Sequence, residues 1–300
     1  MKLVQCVPNF SEGRDSAVID EIVRTLDGHN VTVIDVSPDP DHHRTDVTFI
    51  GELADVRDAA MDMAIAAFEL IDMREHTGEH PRMGAIDVVP FVPVRSVEMA
   101  ECVELAREFA AVFADRTAVP TYLYEEAALS DDRRNLADVR RGEFEGLRDA
   151  IGEDPDRAPD FGPEHIHETA GATAVGARFF LVAFNVNLAT DDNDIANEIS
   201  RAVRHSSGGY RHVKAMGFEL SDRGIVQVSM NMTDFRYTPL FRVFDTIKQE
   251  AARHGVEVIG SEIVGPLPMA ALIDVADHYL RLEDFDETQV LEHHLVGVGS

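Results

Sequence analysis

Two histidines, an arginine and two carboxylates crowd into ten residues, Glu75-His76-Thr77-Gly78-Glu79-His80-Pro81-Arg82-Met83-Gly84. A loop histidine can shuttle protons because its ordinary pKa lies near neutrality. An arginine offers a forked donor for a carboxylate. The spelling from His76 to His80 is also H-x-x-E-H, a zinc-hydrolase signature. That chemistry needs both histidines on one face of a helix. Gly78 inside the motif and Pro81 directly after it work against a helix there, so the metal reading loses its geometry. A helix stop followed by a polar turn would explain the glycine and the proline. It would not explain His76, Glu79, His80 and Arg82 together, so the residues favour a small-molecule site over a structural loop.

The elements around this stretch are legible from periodicity. Apolar spacing predicts a strand at 3–7, a helix at 15–28, strands at 31–36 and 46–50, and a helix at 56–70 leading into the histidine stretch. A strand at 87–94, a helix at 97–113 and a strand at 119–124 follow. A polar segment, 37–44, separates two of the strands and reads as an elaborated loop. Residues 131–159 are dense in Asp, Glu and Arg, with one helix at 136–151, and read as a solvated face. Residues 160–178 are rich in small side chains, lack periodicity and read as a long functional loop joining two halves. From residue 179 the order repeats: strand 179–188, helix 195–204, a hairpin of 213–220 and 225–232, helix 239–254, strand 256–264 and helix 269–282. The expected fold is α+β, two βαββαβ-type subdomains, 1–178 and 179–300, with a ligand cleft between them.

Composition narrows the partners. The 27 basic and 55 acidic residues leave a formal charge of −28, and lysine occurs only at Lys2, Lys214 and Lys248. Such a surface repels nucleic-acid phosphates and anionic membranes, so neither is an expected partner. The acids are spread along the chain, which suggests a salt-rich cytoplasm that screens their repulsion. Cys6 and Cys102 lie in apolar segments and fit a reducing compartment. No apolar run approaches membrane length.

Several longer strings carry a resemblance: Val7-Pro8-Asn9-Phe10-Ser11-Glu12-Gly13, Leu70-Ile71-Asp72-Met73, Gly78-Glu79-His80-Pro81-Arg82-Met83-Gly84-Ala85, Asp160-Phe161-Gly162-Pro163, Gly171-Ala172-Thr173-Ala174-Val175-Gly176-Ala177-Arg178 and Phe184-Asn185-Val186-Asn187-Leu188. In order and over nearly the whole chain, they resemble the glutamate formiminotransferase family. The resemblance implies transfer of a formimino group between N-formimino-L-glutamate and N5 of tetrahydrofolate, with folate as co-substrate and no metal. His80 matches the family's catalytic histidine. The segment Gly162-Pro163-Glu164-His165-Ile166-His167-Glu168-Thr169-Ala170-Gly171 matches its folate-binding stretch. A homodimer and a cytoplasmic location are expected by resemblance, and the cyclodeaminase unit of larger relatives is expected to be absent. The chain departs from the family pattern at Thr77, often basic in relatives, and at Glu168, whose charge would oppose the glutamate tail of folate.

The remaining candidates follow from that chemistry. Arg44 and Arg82 are candidates for carboxylate recognition, in preference to the neighbouring His42 and His43. Asn9 and Ser11 are candidates for hydrogen bonds to the reacting group, and Asp35 or Asp39 for orienting His80. Each also has a plainer use: Arg44 in capping a surface loop, Asn9 and Ser11 in capping the first helix. The competing activities are formyl transfer from 5-formyltetrahydrofolate to glutamate, a zinc hydrolase built on His76 and His80, and folate binding without turnover.

Overall fold

The structure is a computed structural model that describes residues 1–78 and 81–291. Glu79 and His80, the latter the expected catalytic residue, therefore lie outside the described residues. The chain divides into two compact units, 1–179 and 180–300.

The first unit begins with β1 (Leu3–Cys6) and β2 (Asn9–Phe10), two pieces of one line interrupted at Pro8. Next is α1 (Ser16–Arg24), capped by the Asp15 carboxylate, which accepts from the N–H groups of Ala17 and Val18. Then come β3 (Val31–Asp39), β4 (Arg44–Gly51), α2 (Leu53–Leu70) and β5 (Ile86–Arg95). α3 (Met99–Thr117) starts on a reciprocal capping box between Glu98 and Glu101. β6 (Thr121–Glu125), α4 (Leu136–Val139), α5 (Glu143–Ala150) and β7 (Thr173–Ala177) complete the unit. The sheet runs β3, β4, the β1/β2 line, β5, β7, β6; its first pairings are antiparallel, and β7 lies parallel to both β5 and β6. β5 is buried along most of its length because both sheet faces are covered. Val89 and Phe91 join the core shared with α1, α2 and α3, whereas Val88 packs with Tyr122, Tyr124, Val139 and Leu147 on the other face.

The second unit contains β8 (Val182–Leu188), α6 (Asn193–Val203), β9 (Val213–Leu220), β10 (Ile225–Met232), α7 (Leu240–Arg253), β11 (Val258–Val264) and α8 (Met269–Leu280). Its four strands lie in the order β11, β8, β10, β9, all antiparallel, the split βαβ arrangement. Its own core includes Phe184, Val186, Ile199, Val228, Val243 and Ile247. Among the described residues no helix is long and apolar enough to cross a membrane.

Three sequence expectations change. The 37–44 loop is not elaborated: β3 continues through Asp39, whose partner is Arg44, so the connection shortens to the turn at 40–43. Pro38 disguised that strand, but β3 is an edge strand and can dispense with one N–H. The single helix expected at 136–151 is two, α4 and α5. They are separated at Gly142 and Glu143, which both take left-handed backbone, with φ of 84° and 58°. Part of the expected 160–178 loop is an internal strand, β7, buried at every residue.

Candidate functional site

Nine residues from three stretches and one strand meet at one end of the first sheet. Asn9, Phe10 and Ser11 end the β1/β2 line; His42, His43 and Arg44 form the β3–β4 turn; His76 and Arg82 belong to the loop after α2; Asp87 begins β5. The nook between them holds about 10 Å³, the space of about one water, so it seats a group rather than a whole substrate. A larger hollow of about 500 Å³ lies elsewhere, around Arg133 and Arg157. Those guanidiniums donate to backbone carbonyls of Ala158, Asp138 and Val139, which is a structural use.

Two stacked histidines, His76 of the histidine stretch and His43, which the sequence reading set aside, form the wall of the nook. The rings of His43 and His76 stack with centroids 4.4 Å apart and planes 22° apart. His76 Nε2 lies 2.8 Å from the His43 carbonyl, which can only accept, so this nitrogen carries the hydrogen. Nδ1 of His76 accepts from Arg82 Nε at 3.3 Å and is the bare nitrogen. Burial pushes the His76 pKa down; its bond to the His43 carbonyl opposes this, and the Arg82 charge adds to it. Nδ1 of His43 accepts from the Gly13 N–H at 3.1 Å, leaving the hydrogen on Nε2. Burial also lowers the His43 pKa, opposed by Glu12 and assisted by His76 and Arg14. His43 holds a left-handed φ of 51°. Gly78 packs against this turn so closely that a Cβ there would stand 2.5 Å from the His42 carbonyl oxygen.

The expected site residues divide accordingly. Asn9, Ser11, Arg44 and Arg82 line the nook; Asp35 and Asp39 do not. Asn9 takes a donor from Arg44 and gives its own to the Val7 carbonyl at 3.0 Å. Arg44 also pairs with Asp46. Ser11 Oγ donates to the Gly84 carbonyl at 2.8 Å, fastening the turn that follows the histidine stretch. Asp35 accepts from Ser37. Asp39 accepts from the His42 ring at 2.6 Å and from the backbone N–H groups of His42 and Asp41. Burial alone would raise the Asp39 pKa, but those three bonds outweigh it and hold the carboxyl below its usual range. Arg82 is buried and fully occupied. It reaches Glu145 at 2.7 and 2.9 Å, Glu143 at 2.9 Å, and the ring and carbonyl of His76. No donor of Arg82 is left for the substrate carboxylate expected of it.

The segment 162–171 is knitted to the same region. Gly84 and Gly171 face each other in an antiparallel bridge, and a Cβ on Gly84 would fall 2.1 Å from the Ala172 carbonyl oxygen. Gly171 has a φ of 73°, which glycine adopts without strain. The Ala85 N–H donates to the Ala170 carbonyl and the Met73 N–H to the Thr169 carbonyl. His167 Nδ1 accepts from the Ala170 N–H, its ring edge-on to Phe68. Ile166 packs against both faces of the sheet core, whereas Glu164 and His165 are exposed. Glu168 pairs with Arg74 at 3.1 Å, and the same guanidinium also holds Asp72, so two carboxylates share one cation.

Known proteins match this chain along its length. The formiminotransferase domain, N-terminal subdomain, matches residues 3–178, and the formiminotransferase domain matches residues 183–298. A glutamate formimidoyltransferase of Streptococcus pyogenes serotype M1 is 51% identical over 298 residues, covering 99% of both chains. The chain belongs to the formiminotransferase family. Within the formiminotransferases it is also 46% identical to a glutamate formimidoyltransferase of Thermoplasma acidophilum, covering 98% of each. A formimidoyltransferase-cyclodeaminase of Dictyostelium discoideum is 41% identical over 94% of this chain and 54% of its own length.

Against this formiminotransferase background, the residues missed by sequence reasoning are His43, Asp87, Arg140, Glu143 and Glu145. Asp87 is 3% exposed, accepts from the Met83 N–H at 2.8 Å and pairs with Arg140. Removing one partner of so buried a pair costs about 3–5 kcal/mol. Its signal was present, an acid opening an otherwise apolar strand. The arginine and the glutamates were hidden in a segment whose polarity looked like solvated surface.

Proposed function

We propose that this chain transfers the formimidoyl group between N-formimino-L-glutamate and N5 of tetrahydrofolate. The observation that carries the reading is the full-length identity of 51% to a protein named glutamate formimidoyltransferase. The N5 amine attacks the formimidoyl carbon, a C–N bond forms, and a tetrahedral intermediate results. The bond to the glutamate nitrogen then breaks. One proton leaves N5 and one reaches the departing nitrogen, so a single base that returns its proton closes the balance.

His80 is proposed for that role, worth about 10²–10⁴-fold in rate. It stands two residues from Gly78 and two from Arg82, and both of those are packed at the nook. The segment 162–171 is proposed to bind folate. In support, it is stitched to Met73 and Ala85 on either side of the histidine stretch. Arg44 is proposed to contribute to carboxylate recognition together with Asn9. A reducing cytoplasm is the proposed setting, in keeping with two buried free cysteines, and a homodimer is the proposed assembly.

Purified protein supplied with tetrahydrofolate and formiminoglutamate should form 5-formiminotetrahydrofolate with multiple turnovers, and faster than it forms glutamate formyl adducts from 5-formyltetrahydrofolate. Binding of both substrates without turnover would overturn the reading. Faster formyl transfer would reassign the group that is moved.

A further inference from the structure

Residues 140–145 cross the sheet face beside the turn that follows His80, and they grip it at three points. The Phe144 N–H donates to the Arg82 carbonyl at 2.9 Å. Glu145 takes Arg82 in a two-pronged pair at 2.7 and 2.9 Å, and Glu143 adds a third bond. Arg140 pairs with Asp87, whose other oxygen holds the Met83 N–H. This grip depends on an unusual backbone: two successive left-handed residues, Gly142 and Glu143, at the start of α5. A glutamate at a φ of 58° is strained, and such strain persists where the surroundings demand a particular direction. Here the demand is that two carboxylates face one buried guanidinium. Arg82 in turn reaches His76, and His76 reaches the carbonyl of His43 across 33 positions of sequence.

We propose that residues 140–145 form an acidic clamp and that Arg82 is a positioning residue, fixing His76 and the turn beside His80 rather than reading a substrate carboxylate. The proposal rests on the transferase reading for its kinetic consequences, but not for its geometry. The chain of contacts is directional. The glutamates leave the guanidinium no other orientation; its Nε–H then occupies His76 Nδ1; and His76 must keep its hydrogen on Nε2, toward the His43 carbonyl. The groups facing the His76 ring are Arg82, the stacked His43 ring, Glu12 and Arg14. Of these, Arg82 is the only one bonded to its bare nitrogen. A flexible ammonium in place of the fork would lose the simultaneous contacts to Glu143, Glu145 and His76.

The test uses the full-length chain with Arg82→Lys, Glu145→Gln and Glu145→Asp. Steady-state kinetics in both substrates are paired with NMR of the histidine rings to follow the tautomer and titration of His76. A misplacement of about 1 Å can cost about 100-fold in rate. Arg82→Lys and Glu145→Gln are therefore expected to lower kcat at least tenfold while KM for formiminoglutamate stays within twofold. In Arg82→Lys the His76 ring should no longer be held in one tautomer, its hydrogen spreading over both nitrogens, and Glu145→Asp should recover part of kcat. A tenfold rise in KM with kcat retained would overturn the proposal in favour of substrate reading. Unchanged kinetics in both variants would overturn it as well. If the wild type transfers no formimidoyl group yet His76 responds to Arg82→Lys as described, the transferase reading fails and the clamp stands.

Discussion

His76 sits between a carbonyl that takes its hydrogen and a guanidinium that takes its lone pair; burial and the Arg82 charge favour the neutral ring, and the bond to the carbonyl opposes them. His43, stacked on it, is held neutral chiefly by burial. Linkage turns this into a stability statement. As pH falls below about 6.5, histidines of the unfolded chain take up protons that these two decline in the folded state. The unfolded state then binds more protons, so stability falls with pH through the window below that value, and above it the two rings contribute no slope. Calorimetric midpoints measured from pH 7 down to pH 5 should therefore drop more steeply for the wild type than for His76→Gln. Parallel slopes would contradict the assignment of depressed values. None of this is legible from spacing, because the partners come from separate loops and the contact is made only after the sheet forms. What is legible is Arg44 as a candidate in the 42–44 turn; the neighbouring His43, set aside in its favour, is the residue that stacks on His76.

At the scale of elements, long periodic segments were read correctly and short, small-residue segments were not. α2, α3, α7 and β10 carry clear patterns. β7 is Thr-Ala-Val-Gly-Ala and carries none, because it is buried on both faces between parallel neighbours and has little side-chain volume to alternate. Packing explains its small residues: a Cβ on Gly176 would stand 2.5 Å from the Tyr124 ring. Local propensity alone would predict that Gly176→Val strengthens the strand. Overpacking predicts the opposite, a loss of about 1–3 kcal/mol. The thermal midpoint of Gly176→Val should fall by several degrees, at about 2–4 °C per kcal/mol for a unit of this size. A raised midpoint would show that Tyr124 moves aside at little cost. The 140–145 segment teaches a related lesson. Its charged residues look solvated by composition, and Glu145 is exposed, but two left-handed residues bring Glu143 and Glu145 within reach of Arg82 while Arg140 is drawn onto buried Asp87.

At the scale of the whole chain, both units use the same order of elements, and the first adds β6 and β7 to its sheet. The formal charge of −28 is the other whole-chain property. Exposed pairs such as Arg57 with Glu108 add little each, so they do not offset the general repulsion. Raising potassium chloride shortens the Debye length from about 10 Å at about 0.1 M to about 3 Å at about 1 M. The thermal midpoint should rise across that series, and a midpoint already maximal in dilute buffer would contradict a salt-adapted surface. The account rests, however, on one histidine in the short span between Gly78 and Arg82, both of which are packed at the nook. The most direct measurement compares wild type and His80→Ala for turnover of tetrahydrofolate with formiminoglutamate, alongside tetrahydrofolate binding by calorimetry. The account predicts a loss of about 100-fold or more in kcat with folate affinity largely kept; an unchanged rate in the variant would contradict it.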